Sequence, residues 1–430
     1  MKNITPYRIL MSLVVSSLLM LAIPATAKEL PDGFDVNKSN FDQVKNDTFM
    51  GHTIASLLTD HQVWQVRNTG LKFKLAHQAE PVIDPLYWAA TKKYTGQAKF
   101  DPKTREVTGY MAGMPFPNID PSDPYAGDKV LWNFYFGIPW GRDVHFNYNF
   151  VTVNRNGFES SQIWSYQRIY NRGRLGEASP IIATGKDQDI FSKSLFVAVW
   201  PQDVKGIGQY AVRYDSKDMA KNRVEESFAY IKSARRIRRL TGAAWMDPVG
   251  GFDLLYDDVN VWNSRPSWYK GAKLLGKRWI LAAVEGRTIR NAGSAGTPEE
   301  FPQMNFKEKM GWNINVATTP REVWIVEATA PAEHPYSKKV VYVDTKVPAI
   351  YLGEFYDKKG NLWRADSFYY HQVIGKTTGI KYFATYCGNF VDFKAMHGTA
   401  FMIWGPTGGP ESDNGDKWSD WTIERLNRAQ

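Results

Sequence analysis

A hydrophobic period of two is the feature that most limits how this chain can fold. Beyond about residue 97, short segments rich in aromatic and β-branched residues suit a pleated, half-buried surface. A turn sequence at residues 357–361, Asp-Lys-Lys-Gly-Asn, predicts a hairpin between two of them. Ten segments predict β-strands: residues 149–154, 162–170, 195–200, 210–214, 279–284, 322–329, 340–344, 350–356, 362–370 and 381–386.

Many short strands with few intervening helices indicate one large antiparallel sheet, curved or nearly closed, rather than βαβ units. The predicted fold class is therefore mainly β (α+β). We expect a signal segment at residues 1–27 and an N-terminal helical and loop segment at residues 28–96. The sheet is expected at residues 97–404, in the same domain, and a C-terminal loop and tail at residues 405–430.

The first 27 residues have the pattern of an export signal. Lys2 and Arg8 precede or flank an apolar run over residues 9–23, and Ala25 and Ala27 supply the small residues of a cleavage site. The alternative is a membrane anchor, but a spanning helix needs about 20 apolar residues. We therefore expect a cleaved signal peptide and a soluble, periplasmic protein. The single cysteine, Cys387, is expected to be a buried small apolar residue.

No catalytic or metal-binding pattern persists when its spacing is tested. Ser267 and Lys270 form a Ser-x-x-Lys element, but the other elements of the penicillin-binding set stand in the wrong order. The seven histidines form no close pair. Asp253, Asp257 and Asp258 lack the spacing of a calcium loop and are interpreted as a solvated turn. The prediction is no catalytic residue, no metal site and no cofactor.

The densest basic group consists of Arg235, Arg236, Arg238 and Arg239. Such a run can contact an anionic lipid surface, or it can form a solvated, charged sheet edge that discourages edge pairing. Nucleic acid is not an expected partner, because the export signal directs the chain away from it.

Aromatic residues are unusually abundant: 16 Trp, 22 Tyr and 23 Phe make up 14% of the chain. Alternation over residues 132–136 predicts a strand with one aromatic face. Large apolar side chains on one face of a curved sheet either fill a core or line a cavity for an apolar ligand. The candidates for a cavity wall are Trp132, Phe134, Phe136, Trp324, Val326, Trp363, Phe368 and Tyr370.

The N-terminal segment contains a predicted amphipathic helix that begins after Thr53 and ends near Gly70. Spacings of three and four place an apolar stripe on one face of this helix. The stripe either lies over the open edge of the sheet as a lid or packs as ordinary core. The candidate lid residues are Ile54, Leu57, Leu58 and Trp64.

Four stretches, in the same order and over nearly the whole mature chain, resemble the bacterial family called domain of unknown function 1329. They are GYMAGMPFPNIDPSDPYAG from Gly109, YIKSARRIRRLTGAAWMDPVGGFDLLYDDV from Tyr230, REVWIVEA from Arg321 and EFYDKKGNLWRA from Glu354. The basic strand followed by Asp-Leu-Leu-Tyr-Asp-Asp is also similar to the periplasmic lipoprotein-sorting carrier superfamily. The chain lacks the lipid-attachment cysteine of anchored carriers.

The resemblance implies an unclosed antiparallel half-barrel, with helices as a lid over an apolar cavity. It also implies a carrier or chaperone for a lipid or other hydrophobic small molecule. The implied partners are a resistance-nodulation-division type inner-membrane permease and an outer-membrane protein. Two alternatives stay open: a soluble adaptor that docks a transporter without binding a small ligand, and a hydrolase of apolar esters that uses Ser267 and Lys270.

Overall fold

The computed structural model describes residues 27–137, 140–215, 225–231, 236–240, 244–305, 312, 314–406 and 408–428. The predicted export signal, apart from residue 27, lies outside these residues. No helix in the described part of the chain has the length and apolar character needed to cross a membrane. The α-helices are α1 (Phe41–Val44), α2 (Ile54–Leu57), α3 (Asp60–Asn68), α4 (Pro85–Tyr94), α5 (Ala126–Tyr135) and α6 (Glu424–Arg428).

The strands are short near the N-terminus and long in the rest of the chain. The first six are β1 (Asp35–Val36), β2 (Thr48–Phe49), β3 (His52–Thr53), β4 (Phe73–Leu75), β5 (Lys99–Phe100) and β6 (Val107–Thr108). The others are β7 (Asp143–Asn154), β8 (Gly157–Tyr170), β9 (Ile190–Trp200), β10 (Gly208–Tyr214), β11 (Glu225–Ile231), β12 (Arg236–Arg239), β13 (Ala272–Ala282), β14 (Ala317–Thr329), β15 (Lys338–Asp344), β16 (Ile350–Tyr356), β17 (Leu362–Ile374), β18 (Lys381–Asp392), β19 (His397–Trp404) and β20 (Glu411–Ser412).

Sixteen of these strands form one sheet. Its order is β1-β4-β14-β15-β16-β17-β18-β19-β7-β8-β9-β10-β11-β12, with β13 beside β14 and β20 beside β7. Its described strand pairs are antiparallel, apart from the short parallel pair β4 and β14. Because β1 and β12 stand at opposite ends of this order, the sheet is not closed into a barrel. The prediction of a mainly β fold with one large unclosed antiparallel sheet is confirmed.

The hairpin predicted at residues 357–361 joins β16 to β17. One carboxylate oxygen of Asp357 accepts hydrogen bonds of 2.9 Å from the backbone amides of Lys359 and Asn361. Gly360 has a φ of 83°, a left-handed conformation that glycine adopts without a steric cost.

The sheet is covered on both faces. We call the face that carries Tyr166, Phe196 and Phe355 the inner face, and the opposite face the outer face. The inner face packs against α4, α5 and the chain at residues 244–269, which together form the largest hydrophobic core. The outer face is covered by the N-terminal segment, by residues 301–316 and by the C-terminal chain around Trp421. Strands buried on both sides show weak alternation in sequence.

The predicted N-terminal helix is broken into α2 and α3. Leu58 is extended, and Thr59 starts the second helix through a capping box with Gln62. Ile54, Leu57 and Leu58 are buried with their neighbours in the N-terminal core.

This N-terminal segment packs on the outer face of the sheet. His61 of α3 lies 2.8 Å from the carboxylate of Glu354, whereas the next residue of β16, Phe355, points to the inner face. Trp64 is 40% exposed and contacts Phe393 edge-on. The four candidate lid residues therefore do not cover the inner face, and their role in ligand entry stays a prediction.

Residues 132–136 were expected to form a strand, and this expectation is wrong, because most of them belong to α5. Trp132 and Phe136 are four residues apart, so the helix places both rings on one face, where their centroids are 5.2 Å apart. The Trp132 indole donates to the Arg105 carbonyl at 2.9 Å. The same spacing also fits alternation, which is why the pattern misled.

The basic group lies at one end of the sheet order. Arg235 is outside the described residues, and Arg236, Arg238 and Arg239 are exposed on β12. Arg239 pairs with Glu226 of β11 at 2.6 Å. Contact with an anionic membrane and a solvated sheet edge both stay predictions for these arginines.

Candidate functional site

A cavity of about 60 Å³ lies on the inner face of β8, β9, β10 and β11. Together with the adjoining space that is open to solvent, the gap there is about 630 Å³. Its walls combine aromatic rings with a few polar groups, a composition typical of ligand sites. The strands contribute Tyr166, Arg168, Ser194, Phe196, Gln209, Ala211, Arg213 and Glu225.

The side of the cavity opposite the sheet is formed by residues 244–263, which we call the covering segment. It contributes Trp245, Tyr256, Val259 and Asn263 to the cavity wall. Apart from two single turns of 3₁₀ helix, Ala244–Met246 and Tyr256–Asp258, the segment has no helix or strand. Its position therefore depends on a few specific contacts rather than on a backbone ladder.

The first of these contacts is a fully buried ion cluster. The Lys339 ammonium of β15 lies 2.8 Å from a carboxylate oxygen of Asp257 and 2.8 Å from one of Asp258. His334 lies 3.2 Å from Asp257, and the Tyr336 hydroxyl donates to Asp258 at 2.7 Å. The expectation that Asp257 and Asp258 form a solvated turn is wrong, because a lysine about 80 residues later neutralises them inside the core.

The cluster shifts the pKa values of its members in opposite directions. Burial alone would raise the pKa of Asp257, but the Lys339 ammonium and His334 outweigh it and lower that pKa. Burial alone would lower the pKa of Lys339, and the two carboxylates raise it. Both members of the pair are therefore charged at neutral pH.

Asp366 lies near this cluster on the inner face of β17. Neither of its carboxylate oxygens has a hydrogen-bond partner among the described residues. Burial, followed by the negative charge of Asp258, raises the pKa of Asp366 well above its ordinary value. Asp366 is therefore protonated and neutral at pH 7.

A second contact fixes the covering segment at Asp253. Its carboxylate accepts hydrogen bonds from Thr399 at 2.7 Å and from His397 at 2.6 Å, both on β19. His397 also lies 2.6 Å from Glu159. Burial lowers the pKa of His397, but Glu159 and Asp253 outweigh it, so that this pKa is raised. Protonation of His397 thus strengthens the attachment of the covering segment.

Backbone strain accompanies these contacts. Asn260 and Val261 have φ values of 56° and 66°, a left-handed conformation that costs a β-branched residue most. The Val261 carbonyl accepts a hydrogen bond of 3.2 Å from Lys339. The buried ion cluster therefore holds two consecutive residues in conformations that they would not adopt in a free chain.

A smaller cavity of about 30 Å³ adjoins the first. Arg168, Arg213 and Asn263 line both cavities. The other residues that line the smaller one come from α5, the chain that follows it, β8 and the covering segment: Phe134, Tyr135, Gly137, Trp140, Tyr170, Asn260 and Trp262.

The predicted cavity residues are divided between core and cavity. Phe134 lines the smaller cavity, and with Trp324 it lines a further one of about 30 Å³. Trp363 is half-buried and donates to Asp392 at 2.8 Å. The remaining predicted residues belong to the main core: Trp132, Phe136, Val326, Phe368 and Tyr370. Their binding roles stay predictions.

Sequence reasoning missed most of the described cavity, including Tyr166, Arg168 and Phe196. Residues 162–170 were correctly expected to form a strand, but apolar residues occupy both of its faces. Ile169 packs outward against the C-terminal chain, and Tyr166 and Tyr170 pack inward. A charged residue inside such a strand, Arg168, was the available signal.

Two other groups with chemical potential are already engaged. The Ser267 hydroxyl hydrogen-bonds Glu106, which also pairs with Arg265, and Lys270 is exposed. Three possible metal ligands, on Asp143, His145 and Asp416, lie within 4.8 Å of one another. Their listing here needs no ion, since Asp416 already contacts His145 at 2.8 Å.

The family model described as Protein of unknown function (DUF1329) matches residues 35–427, so the chain belongs to this family. No curated protein matches the chain. A solved DUF1329 family protein from Desulfovibrio piger is 16% identical, with a TM-score of 0.46, and the match covers 71% of this chain and 100% of that one.

Two further solved structures are similar to this chain. A candidate outer membrane lipoprotein-sorting protein domain from Vibrio parahaemolyticus is 15% identical, with a TM-score of 0.44 and coverage of 70% of this chain and 97% of that one. A LolA superfamily protein from Nitrosomonas europaea is 11% identical, with a TM-score of 0.36 and coverage of 68% and 94%.

Proposed function

We propose that the protein is a periplasmic carrier that shelters a lipid or other hydrophobic molecule between the inner face of its sheet and the covering segment. The observation that supports this most is the aromatic-walled cavity formed by Tyr166, Phe196, Trp245 and Tyr256. Apolar walls with a few polar groups favour an amphiphilic ligand. The export pattern of the first 27 residues supports a periplasmic location.

Loading requires the cavity to open. Ligand sites usually have volumes of about 300–1,000 Å³, whereas this cavity measures about 60 Å³. The covering segment is the part suited to move, because contacts at Asp253, Asp257 and Asp258 hold it instead of strand pairing. Displacing its aromatic side chains joins the cavity to the surrounding gap.

The carrier would work without catalysis and would exchange its ligand with envelope partners. We propose a resistance-nodulation-division type permease and an outer-membrane protein as these partners. The exposed arginines Arg236 and Arg238 on β12 offer a basic docking surface. An ester hydrolase that uses Ser267 and Lys270 is not supported, because Ser267 contacts Glu106 and Lys270 is exposed.

Binding of N-phenyl-1-naphthylamine, a neutral apolar dye, tests the carrier function. We expect the protein to bind the dye with enhanced dye fluorescence. Ala211→Phe places a large ring in the cavity and should weaken binding at least about tenfold. Ala55→Phe, on the exposed surface of α2, is the matched control and should leave binding unchanged. No binding by the unaltered protein, or equal binding by Ala211→Phe, would contradict the proposal.

The second candidate function is an adaptor that docks a transporter and binds no small ligand. One observation favours it: the cavity volume of about 60 Å³ is far below the usual size of a ligand site. An adaptor requires a filled interior that stays closed. It therefore predicts no dye binding, together with no lipid in native mass spectra of protein purified from a lipid-containing host.

A further inference from the structure

Three buried nitrogen donors without hydrogen-bond partners belong to residues that line the smaller cavity. They are the Nε of Arg168 and the indole nitrogens of Trp140 and Trp262, for which no partner exists among the described residues. Buried donors are nearly always satisfied in folded proteins, so each such atom calls for an explanation. Three in the walls of one cavity favour an acceptor-rich group there.

Arg168 also supplies a positive charge that no described carboxylate balances. Its guanidinium donates to the Tyr170 hydroxyl at 3.1 Å and lies over the rings of Tyr166 and Tyr170, 5.3 Å and 5.6 Å from their centroids. The neighbouring Arg213, by contrast, is paired with Glu225 at 2.7 Å. The described cavity walls thus carry one excess positive charge, next to rings that suit an alkyl chain.

We propose that the carried molecule has a carboxylate headgroup, as a fatty acid does, and that Arg168 binds this carboxylate in the smaller cavity. The alkyl chain would then extend past Tyr166 and Phe196 into the larger cavity, which Arg168 also lines. This inference rests on the proposed carrier function and names the chemistry of its ligand.

Charge and geometry favour a carboxylate over a phosphate. A carboxylate has one negative charge, which matches the single unbalanced guanidinium, and its two oxygens fit the planar fork of arginine. The indole groups of Trp140 and Trp262 can donate to its remaining lone pairs. A phosphate monoester has nearly two negative charges and would leave one of them unpaired in a cavity of about 30 Å³.

The test compares three ligands with the same twelve-carbon chain: dodecanoate, dodecanol and dodecyl phosphate. Each competes with N-phenyl-1-naphthylamine for the purified protein. We expect dodecanoate to bind at least about tenfold more tightly than dodecanol, since a hydrogen bond to a charged group exceeds a neutral one. Arg168→Met should weaken dodecanoate binding about 10- to 100-fold and leave dodecanol binding unchanged. Arg168→Lys should lose less.

Arg238→Met is the matched control, because it removes the same charge from an exposed strand. It should leave both affinities unchanged. If Arg168→Met does not fold, Trp262→Phe removes one donor and keeps a ring, and it should weaken dodecanoate alone by several-fold.

Four outcomes would overturn the inference. These are equal binding of dodecanoate and dodecanol by the unaltered protein, an equal loss of both ligands in Arg168→Met, an unchanged ligand ratio in the variants, and tighter binding of dodecyl phosphate than of dodecanoate. If dodecanol still binds, the carrier function stands and only the headgroup assignment fails. If none of the three ligands binds, both fail.

Discussion

Replacing Lys339 by methionine should unfasten the covering segment. Methionine keeps the length of the side chain and removes its charge, so that two buried carboxylates, Asp257 and Asp258, lose their common cation. Breaking a buried ion pair by removing one partner costs about 3–5 kcal/mol, because an uncompensated charge stays in the core. We expect the free energy of unfolding to fall by about that amount.

Urea unfolding, followed by circular dichroism, measures this loss. The matched control is Lys338→Met at the preceding position of β15, where the ammonium pairs with Glu327 at 2.7 Å and is 36% exposed. Exposed pairs of that kind contribute about 0–1 kcal/mol. Asp257→Asn, added to Lys339→Met, should restore part of the lost stability, because it removes one of the stranded charges.

The same substitution should make the covering segment more accessible. Limited proteolysis under native conditions should cut residues 244–263 faster in Lys339→Met than in Lys338→Met. Equal losses of stability in the two variants, or a loss below about 1 kcal/mol for Lys339→Met, would refute the reasoning that the buried ion cluster anchors this segment.

Three further predictions follow from the charged groups. Asp366→Asn should gain stability relative to the unaltered protein as pH rises above about 4, by up to about 1.4 kcal/mol per pH unit, because the buried carboxyl must keep its proton; equal pH profiles in urea unfolding would contradict this. His397→Gln should destabilise the protein most below about pH 6.5 and progressively less as pH rises, because the native pKa of His397 is raised; a loss that does not vary with pH would count against the ion contacts of His397. Arg236→Glu with Arg238→Glu should weaken sedimentation with anionic vesicles at low salt; unchanged binding would favour a solvated edge.

The strands could be predicted because their aromatic and β-branched residues favour a pleated sheet in any context. The hairpin at residues 357–361 could be predicted from turn chemistry alone. Residues 132–136 could not, because Trp132, Phe134 and Phe136 satisfy both a period of two and a spacing of four. Tertiary packing against β13 and β14 decides between them, and those strands lie more than 130 residues away.

The site was harder to predict than the fold. Asp257 and Asp258 resemble a solvated turn until Lys339 is known to lie beside them, and no local pattern reports a contact across about 80 residues. Arg168 stands in a strand whose two faces are both covered, so alternation does not show which way it points. Burial of a single charge is a long-range property of the folded chain.

The central claim is that a hydrophobic ligand occupies the space between the inner face and the covering segment. A crystal structure with bound 12-bromododecanoate tests it most directly, because anomalous scattering locates the bromine independently of the protein. We expect the bromine peak beside Tyr166, Phe196 and Trp245, with the carboxylate at Arg168. A bromine peak on the outer face, or none in a crystal grown with saturating ligand, would contradict the account.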